Sequence, residues 1–441
     1  MAQRLRHRLV VWTILAPVVL WGWLTPLAPA LGESLAELIP ELLETHNLIK
    51  AAEADLIAAN ERANATMGGW YPTLNLKSNI GREDQNKPGS AADTNLSPRE
   101  TDLSITQLLW DFGKTNSAIR GSDLGRESAK YGLSSATQEL LLRAATAYIN
   151  VVRAVEVQGF ARQSEDNIKR QTEIEDALVR RGAGLSTDVL NSKQQLAGAQ
   201  ARRVQADGQL TQARNAFRAV FQRDVINIQS MEKPVLPVGQ LPVNAEETVE
   251  IALRENPALK KAATDAAVSR EAAARARAEG FFPTLNAVAE QKYKNDVSGT
   301  IGQQRESLGK VEMNFPFNLG FTATNTLRAA NETANAVERR VGETRDVSEQ
   351  AARDAWSRLE TARLRLDHLR NQANISAEYL ELARRERQLG TRTLNDILRA
   401  ETDSINSNSD AASAEADVAI ATFSVLTTMG RLTSEHLTAR N

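Results

Sequence analysis

Apolar and polar residues alternate along four stretches of the chain, each about ten residues long. In the first stretch Leu74 and Leu76 fall on one face, and Lys77 falls on the other. A period of two is typical of a β-strand with one apolar and one polar face. The four stretches pair across polar loops, so the sequence predicts two β-hairpins, at 72–110 and 283–317.

A seven-residue period follows each predicted hairpin. In the second half of the chain, apolar and small residues recur in steps of four and three at Ala352, Ala355, Leu359, Ala362, Leu366, Leu369 and Ala373. This spacing predicts long coiled-coil helices at 116–181 and 325–389, each about 65 residues or roughly 98 Å long. Two neighbouring stripes on the first of them indicate a partner on each side, as in a ring of helices. A helix buried in an ordinary bundle is the alternative.

Each long helix ends at a glycine turn, after which the chain returns. The turns contain Gly182 and Gly390, and the returning helices are predicted at 186–221 and 393–428. Each returning helix has about 36 residues, or roughly 54 Å. A shorter helix precedes each hairpin, and placed end to end with a returning helix it nearly matches one long helix. The long and returning helices are therefore expected to pack antiparallel.

The same order of elements occurs twice, about 210 residues apart, a period far longer than the 20–50 residues of solenoid repeats. This indicates an internal duplication. The first repeat covers 31–233, a linker covers 234–244, and the second repeat covers 245–441. Each repeat begins with a helix and continues through a hairpin, a long helix and a returning helix.

Two aromatic residues and a proline stand before each hairpin, followed by Thr-Leu-Asn. Proline is tolerated as the first residue of a strand, and aromatic rings are enriched where a membrane meets water. A plain proline-containing turn is the alternative for a single copy. The predicted membrane-interface residues are Trp70, Tyr71, Pro72, Phe281, Phe282 and Pro283.

The N-terminus has the layout of a secretory signal peptide over 1–30. Arg4, Arg6 and Arg8 precede an apolar run over 9–24, and small residues follow it. A membrane-anchor helix is the alternative. We find no other stretch in the sequence that approaches the roughly 18 apolar residues that a spanning helix needs, so the mature chain is expected to be exported without a helical anchor.

Composition narrows the class of protein. The net charge of −2 argues against a nucleic-acid partner. The absence of cysteine excludes disulfides and thiolate metal sites, and the four histidines are scattered. No catalytic set, metal cluster or phosphate loop occurs in the sequence. We therefore expect a protein that is not an enzyme and that uses neither a cofactor nor a metal.

Four strands cannot close a membrane barrel, and lipid does not tolerate an open sheet edge. Identical copies must then complete the barrel. Two copies make eight strands around a filled interior, whereas three make twelve strands around a lumen. Three copies are favoured, because a long helical tube beneath a filled barrel would have no use.

Taken together, these features resemble the TolC family of outer-membrane channel-tunnels over essentially the whole mature chain. The resemblance implies a mostly α fold: antiparallel coiled-coil helices form a periplasmic α-barrel, and four transmembrane strands per chain close a 12-stranded β-barrel in a homotrimer. It implies a protein of the bacterial outer membrane that extends into the periplasm. Its implied partners are outer-membrane lipid, a periplasmic adaptor (membrane fusion) protein and an inner-membrane ABC or other pump.

The most specific match is Gly390-Thr391-Arg392-Thr393 followed by Asp396-Ile397-Leu398. It resembles the periplasmic tip that constricts the tunnel and meets the adaptor. The resemblance implies that Arg392 bonds toward Thr187 and Asp188 on a neighbouring helix and so holds the entrance closed. The turns at Gly182 and Gly390 are then part of the gate and of the adaptor contact.

The resemblance also implies that three copies of Asp396 form a ring at the constriction. Arg399 stands where many relatives carry a second aspartate, and Arg387 stands where some carry a tyrosine of the lock. These differences leave the ion selectivity of the entrance open. Capping of a helix N-terminus is the alternative role for Asp188 and Asp396.

The resemblance points to export of substrates, and most closely to the outer-membrane component of type I protein secretion, of the agglutination or adhesin-export kind. A multidrug or small-molecule efflux channel is the alternative. A periplasmic coiled-coil adaptor or structural protein is an alternative of a different class, but it would not explain two hairpins at the same end of each repeat.

Overall fold

We describe a computed structural model of the chain, which covers residues 34–89, 92–317 and 319–438. The predicted signal peptide at 1–30 lies outside these residues. Within these ranges, no helix combines the length and the apolar character needed to cross a membrane.

Helices make up most of the described chain. They are α1 (Leu35–Thr45), α2 (Asn47–Met67), α3 (Lys114–Arg180), α4 (Ser186–Phe221), α5 (Ala245–Glu255), α6 (Pro257–Phe281), α7 (Thr322–Gln388), α8 (Leu394–Met429) and α9 (Glu435–Thr438). α3 and α7 each contain 67 residues, which corresponds to about 100 Å. They begin slightly before the predicted positions 116 and 325. α4 spans 186–221, and α8 begins one residue after 393.

A four-stranded antiparallel sheet lies at one end of the long helices. Its strands are β1 (Thr73–Ile80), β4 (Arg99–Trp110), β5 (Thr284–Asn295) and β6 (Gln303–Asn314), in the order β1-β4-β5-β6. The pairing of β4 with β5 joins the two repeats into one sheet. β1 and β6 are consequently the edge strands of a single chain.

The connection between β1 and β4 is more ordered than a polar loop. β2 (Glu83–Gln85) and β3 (Thr94–Leu96) form a small hairpin within it. Contacts with the β5–β6 loop hold this hairpin: Lys87 Nζ donates to the Gly299 carbonyl at 3.1 Å, and the Ser298 N–H donates to a Glu83 carboxylate oxygen at 3.0 Å. The two repeats therefore touch at this end as well.

The faces of the sheet differ in polarity, as the alternation predicts. Leu76 is paired with Leu103 on one face, and the apolar side chains of β1 on that face are exposed to solvent. The opposite face carries cross-strand ion pairs, among them Lys294 with Glu306 at 2.8 Å. A sheet with an exposed apolar face and a charged face suits a boundary between lipid and water.

Contacts between elements give the order of the helices. Next to the sheet, α2, α3, α6 and α7 lie side by side in that order; farther away the order is α4, α3, α8 and α7. α7 therefore forms one edge of the chain along its whole length. α2 and α4 form the other edge, on the same side as β1.

The main apolar core lies where these two layers meet. It combines side chains from the long helices with α1, α9 and the linker, and its largest buried members include Tyr148, Phe217, Leu359, Phe423 and Leu432. Tyr148 also donates its hydroxyl hydrogen to the Glu232 carbonyl at 2.9 Å. This hydrogen bond attaches the segment 222–244 between α4 and α5, which we call the belt, to the middle of α3.

The start of α6 rests directly on the end of α8, a contact that we call the joint. Gly430 ends α8 with a φ of +79°, a conformation that favours glycine. A Cβ at this position would lie 2.8 Å from Pro257 Cδ and 2.9 Å from Asn256 Cα. Asn256 in turn donates from its side chain to the Thr428 carbonyl at 2.9 Å. Because α8 and α6 approach so closely, the two helices together form one strut in two pieces.

An arginine–glutamate pair reinforces the joint. Arg431 donates two hydrogen bonds, of 2.6 and 2.7 Å, to the carboxylate of Glu255. The first repeat has a corresponding pair after α4, where Arg223 lies 3.1 Å from Glu41. Both repeats thus use the same chemistry where a returning helix ends.

The joint predicts a pH-dependent stability. Hydrogen bonds from Arg431, and secondarily from Arg254, hold the pKa of Glu255 at about 2, below its ordinary 4.5. Because the folded state lowers this pKa, the pair stabilises fully above about pH 4.5, and this contribution is lost as the pH falls toward 2. Glu255→Gln should therefore lower the unfolding temperature, followed by circular dichroism in detergent, at pH 7.

The difference from the unsubstituted protein should shrink as the pH falls from 4.5 toward 2. Glu250→Gln is the matched control, because within the described part of the chain Glu250 pairs only with Arg254, on the exposed side of the same helix, and such pairs contribute little. A difference for Glu255→Gln that stays constant from pH 7 to pH 2 would contradict the pairing described here.

Candidate functional site

The two glycine turns lie at the end of the helices that is remote from the sheet. Gly182 and Gly390 adopt φ values of +76° and +81°. In both turns the next residue donates its N–H back to the last helical turn: Ala183 to Leu178 at 3.0 Å, and Thr391 to Glu386 at 3.0 Å. This arrangement terminates α3 and α7 in the same way and reverses the chain. We call this end of the molecule the tip.

Arg392 is held within its own hairpin. Its Nε donates to Glu386 Oε2 at 2.6 Å, and its Nη1 donates to the Tyr379 hydroxyl at 2.8 Å. The guanidinium also lies 5.3 Å from the centre of the Tyr379 ring. Within the described chain, no hydrogen bond or ion pair joins Arg392 to Thr187 or Asp188. The Arg392 guanidinium instead binds Glu386, which lies on the adjoining helical turn.

Asp396 caps the N-terminus of α8. The Thr393 hydroxyl donates to Asp396 Oδ2 at 2.7 Å, and the Asp396 N–H donates to the Thr393 hydroxyl oxygen at 3.3 Å. The Thr393 backbone N–H also donates to Asp396 Oδ2 at 3.4 Å, which completes a reciprocal capping box. The Thr393 hydrogen bond lowers the pKa of the Asp396 carboxyl, and the charges of Arg392 and Arg399 act in the same direction. Asp396 is therefore ionised at neutral pH.

Thr187 and Asp188 lie in the first turn of α4. Thr187 is exposed and Asp188 is half-buried. The N–H of Asp188 bonds the Leu185 carbonyl at 3.0 Å, and a carboxylate at this position favours the helix N-terminus. Arg399 is exposed on α8. These three side chains are available to a partner molecule at the tip.

The sequence analysis missed a buried carboxylate that connects the two hairpins. Glu175 on α3 is only 4% exposed and lies 3.1 Å from Arg387 Nη2 on α7. Arg387 also donates to the carbonyl of Arg392 at 3.2 Å, and Gln171 donates to Glu175 at 3.1 Å. Arg387, which stands where some relatives carry a tyrosine, thus makes the contact between the two hairpins.

A second buried carboxylate binds Arg384, which precedes Arg387 on α7 by less than one helical turn. Glu401 on α8 is 6% exposed and lies 2.7 Å from Arg384 Nη2 on α7. Asn167 on α3 donates to its other oxygen. We call the Arg387–Glu175 and Arg384–Glu401–Asn167 interactions the tip contacts. Buried carboxylates that lose such partners are costly, so these interactions hold the α7–α8 hairpin against α3.

A sequence signal for these carboxylates exists. The buried residues of α3 near the tip are Ser164, Ile168, Thr172 and Glu175, in steps of four and three. Glu401 falls on the corresponding stripe of α8, between Leu398 and Ile405. A glutamate on a coiled-coil stripe needs a basic partner nearby, and Arg384 and Arg387 are within reach.

The predicted membrane-interface residues lie at the junction of helices and sheet. Trp70 Nε1 donates to Asn116 at 3.2 Å, and Phe282 stacks on Phe112 with 5.1 Å between ring centres. Tyr71 and Phe281 are exposed. The two prolines, Pro72 and Pro283, stand immediately before β1 and β5.

Comparison with known proteins assigns the family. The family model described as "Outer membrane efflux protein" matches residues 38–221 and again 248–431. The two matches coincide with the two repeats.

Individual relatives match over nearly their whole length. The chain is 24% identical to outer membrane efflux protein BepC of Brucella suis, covering 96% of this chain and 91% of that protein. It is 25% identical to outer membrane protein TolC of Vibrio cholerae, with 92% of each chain covered. The outer membrane channel CmeC of Campylobacter jejuni has a similar fold, with a TM-score of 0.80 at 16% identity over 91% of this chain and 86% of that one. The chain belongs to the outer membrane efflux protein family, as a TolC-type channel protein of the bacterial outer membrane that extends into the periplasm.

Proposed function

We propose that three copies of the chain close into one conduit that carries substrates from the periplasm to the cell exterior. The observation that carries this proposal is the matching of free edges. β6 and α7 lie on one side of the chain, and β1, α2 and α4 lie on the other. Joining these sides in a ring gives every edge strand a partner, which lipid requires. Three copies supply twelve strands, enough to surround a lumen.

Apolar side chains along the helical edges support the same ring. Ile375 and Leu382 are exposed on α7, and Leu389 continues their seven-residue spacing directly after the helix ends. α4 exposes Leu190 and Val204. Such stripes are typical of coiled-coil helices that face a partner. In the proposed trimer, the stripe of α7 packs against α4 of the next copy.

Cysteine cross-linking tests this arrangement in a chain that has no native cysteine. Leu190 and Leu382 lie four and six residues from the ends of their helices at the tip, so they are at similar height. The double variant Leu190→Cys/Leu382→Cys should form covalent dimers and trimers on oxidation, resolved by non-reducing electrophoresis. Light scattering in detergent should give three copies per particle.

Leu190→Cys/Leu364→Cys is the matched control. Leu364 is also exposed on α7 but lies about 27 Å farther from the tip than Leu382 by the helix rise. It should form no intermolecular disulfide with Leu190. Efficient cross-linking in this control, or a monomer in detergent, would contradict the ring.

The second part of the proposal is a gate at the tip. Opening the tip requires the α7–α8 hairpin to move away from α3 and α4, and the tip contacts oppose this movement. The carboxylates of Glu175 and Glu401 are both buried. Separating the hairpins would break their bonds to the arginines, and water would have to replace these partners. We propose that the turns at Gly182 and Gly390, with Thr187, Asp188 and Arg399, meet the periplasmic adaptor, and that an inner-membrane pump supplies the substrate. Three copies of Asp396 would place three negative charges around the entrance.

Glu175→Gln should open the gate. The amide keeps the shape of the side chain but removes the charge that binds Arg387, a loss of about 1.5–3 kcal/mol for a hydrogen bond to a charged group. Single-channel conductance in planar bilayers should rise, and cells should become more permeable to large antibiotics. The trimer should remain intact, because the substituted contact lies within one chain.

Glu386→Gln is the control for this experiment. It removes the partner of Arg392 inside a single hairpin and leaves the connection between hairpins in place. Its conductance should stay near that of the unsubstituted protein. The gate assignment would be wrong if Glu386→Gln opened the channel and Glu175→Gln did not, which would instead favour Arg392 as the lock.

For the cargo, we propose protein substrates of a type I secretion system, on the family resemblance. The description of BepC as an efflux protein favours small-molecule efflux as the second candidate. A bacterial strain from which this protein has been deleted distinguishes type I secretion from small-molecule efflux. Type I secretion predicts that a specific protein disappears from the medium while sensitivity to toxic small molecules is unchanged. An unchanged set of secreted proteins with increased sensitivity would transfer the assignment to efflux.

A further inference from the structure

Within one chain, the two repeats meet along a strand pair that the outer edges of the sheet lack. β4 of the first repeat pairs with β5 of the second from Arg99 to Trp110, whereas β1 and β6 each have one neighbouring strand in the described chain. Because the chain is duplicated, β6 corresponds to β4, and β1 corresponds to β5. The β4–β5 pair is therefore a template for a pair between β6 of one copy and β1 of the next.

Two sequence motifs fix this correspondence residue by residue. Arg-Glu-Thr at 99–101, in β4, recurs as Arg-Glu-Ser at 305–307, in β6, so these strands correspond at an offset of 206 residues. The motif of two aromatic residues followed by Pro-Thr-Leu-Asn occurs at 70–75 and at 281–286, so β1 and β5 correspond at an offset of 211 residues. Both offsets carry the apolar face of one strand onto the apolar face of its counterpart.

The template gives the register of the missing strand pair. Thr106 on β4 lies opposite Val288 on β5. Shifted by the two offsets, these positions become Glu312 on β6 of one copy and Lys77 on β1 of the next. Directly opposite residues of an antiparallel pair have Cβ atoms about 4.5–5.5 Å apart. In this register a carboxylate and an ammonium group therefore meet on the charged face of the sheet.

The same register brings apolar side chains together on the other face. Leu76 lies opposite Met313 of the neighbouring copy, and Leu74 lies opposite Phe315. Leu76 and Met313 are each 67% exposed in a single chain, so their contact covers apolar surface that one chain leaves open. Pro316 follows at the end of this strand pair, where a residue without an N–H is tolerated.

Charge selects the same register without reference to the duplication. A shift by one residue would turn the apolar side chains of one strand onto the charged face. A shift by two residues would set Lys77 opposite Lys310 in one direction, or opposite the neutral Asn314 in the other. Like charges directly opposite each other are destabilising. Of these registers, the one that the template gives is the one that sets Lys77 opposite a carboxylate.

The charges of this pair are incompletely satisfied within one chain. Lys77 lies opposite Asp102 in the sheet, but it forms no ion pair among residues 34–89, 92–317 and 319–438. In the same part of the chain, Glu312 binds only Lys310, two residues away on its own strand, at 3.1 Å. The contact with the next copy supplies Lys77 and Glu312 each with an opposite charge.

Exposed aromatic side chains stand at the end of the same two edges. In the template, Phe112 from the segment after β4 stacks on Phe282, which precedes β5, with 5.1 Å between ring centres. The segment after β6 has no such cover within the described chain, and its Phe317 is 83% exposed. Tyr71, which corresponds to Phe282, is 71% exposed. The template therefore places the segment after β6 against Tyr71 of the next copy.

We propose that neighbouring copies of this chain pair β6 with β1 in the register that sets Glu312 opposite Lys77. The occupant of the open sheet edge is thus a second copy, and the interface between copies repeats the interface between the two repeats. This inference rests on the proposed ring, to which it adds the register and the charged pair that fixes it. The charged pair opposes slippage of the two edge strands, because any neighbouring register loses it.

Disulfide formation in this cysteine-free chain tests the register. Lys77→Cys/Glu312→Cys introduces two opposite thiols on the charged face, and Ser78→Cys/Val311→Cys introduces the adjacent opposite pair on the apolar face. Adjacent opposite pairs alternate between a closer and a wider spacing, so at least one of the two variants should give covalent dimers and trimers on oxidation. Non-reducing electrophoresis separates these products.

Lys77→Cys/Lys310→Cys is the matched control, because it moves one thiol by two residues on the same strand and the same face. Diagonal neighbours lie about 7–8 Å apart, beyond the reach of a disulfide. The control should therefore give about tenfold less linked product than the better of the two opposite pairs. Circular dichroism and light scattering of the reduced proteins in detergent establish that each variant is folded and trimeric.

Three results would overturn the register. The control may link at least as well as both opposite pairs, or neither opposite pair may link in a reduced protein that is trimeric. In both cases the cross-link between Leu190→Cys and Leu382→Cys would still form, so the ring would stand and the register alone would be wrong. The third result is a monomer in detergent together with no cross-link at the tip, which would remove the ring and the register together.

Discussion

Peptide groups on the edge of a β-sheet need hydrogen-bond partners, and hydrocarbon offers none. In this chain the edges are β1 and β6, and every larger feature follows from how they are satisfied. The helices continue the two edges, because α2 precedes β1 and α7 follows β6. In the proposed ring, the same contact between neighbouring copies therefore pairs β6 with β1 and packs the stripe of α7 against α4. A chain that satisfied the sheet alone would leave the stripe of α7 exposed over most of its length.

The secondary structure was predictable because its causes are local. Alternation around Leu76 and the seven-residue stripe of α7 are properties of neighbouring residues, and the glycine turns at Gly182 and Gly390 need only a positive φ. The β2–β3 hairpin was not predictable. It is held by the bond from Lys87 to Gly299, whose positions are 212 residues apart in the chain. No local pattern contains such a partner.

The place of the two turns was predictable, whereas the contacts that Arg392 and Arg387 make within one chain were not. The resemblance located the turns and the residues around them, whereas the partner of Arg392 depends on which carboxylate lies nearest in three dimensions. Glu386 is nearest in the chain described here, and Arg387 reaches Glu175 in the other hairpin. The stripe that contains Glu175 is visible in the sequence, but its meaning depends on α7 lying beside α3. Interactions between the repeats are therefore the part that sequence reasoning lacked.

The joint has a mechanical consequence. α4 and α8 end at the belt, so each is a short rigid lever that can pivot there. α3 and α7 cross the belt without a break, and a helix of 67 residues responds to a sideways load by bending smoothly along its length. Displacement at the tip must then store elastic energy in two continuous helices of every chain. In the proposed gate, the conformation described here is the unloaded state of these two helices, and the return to it after each passage would need no external source of energy.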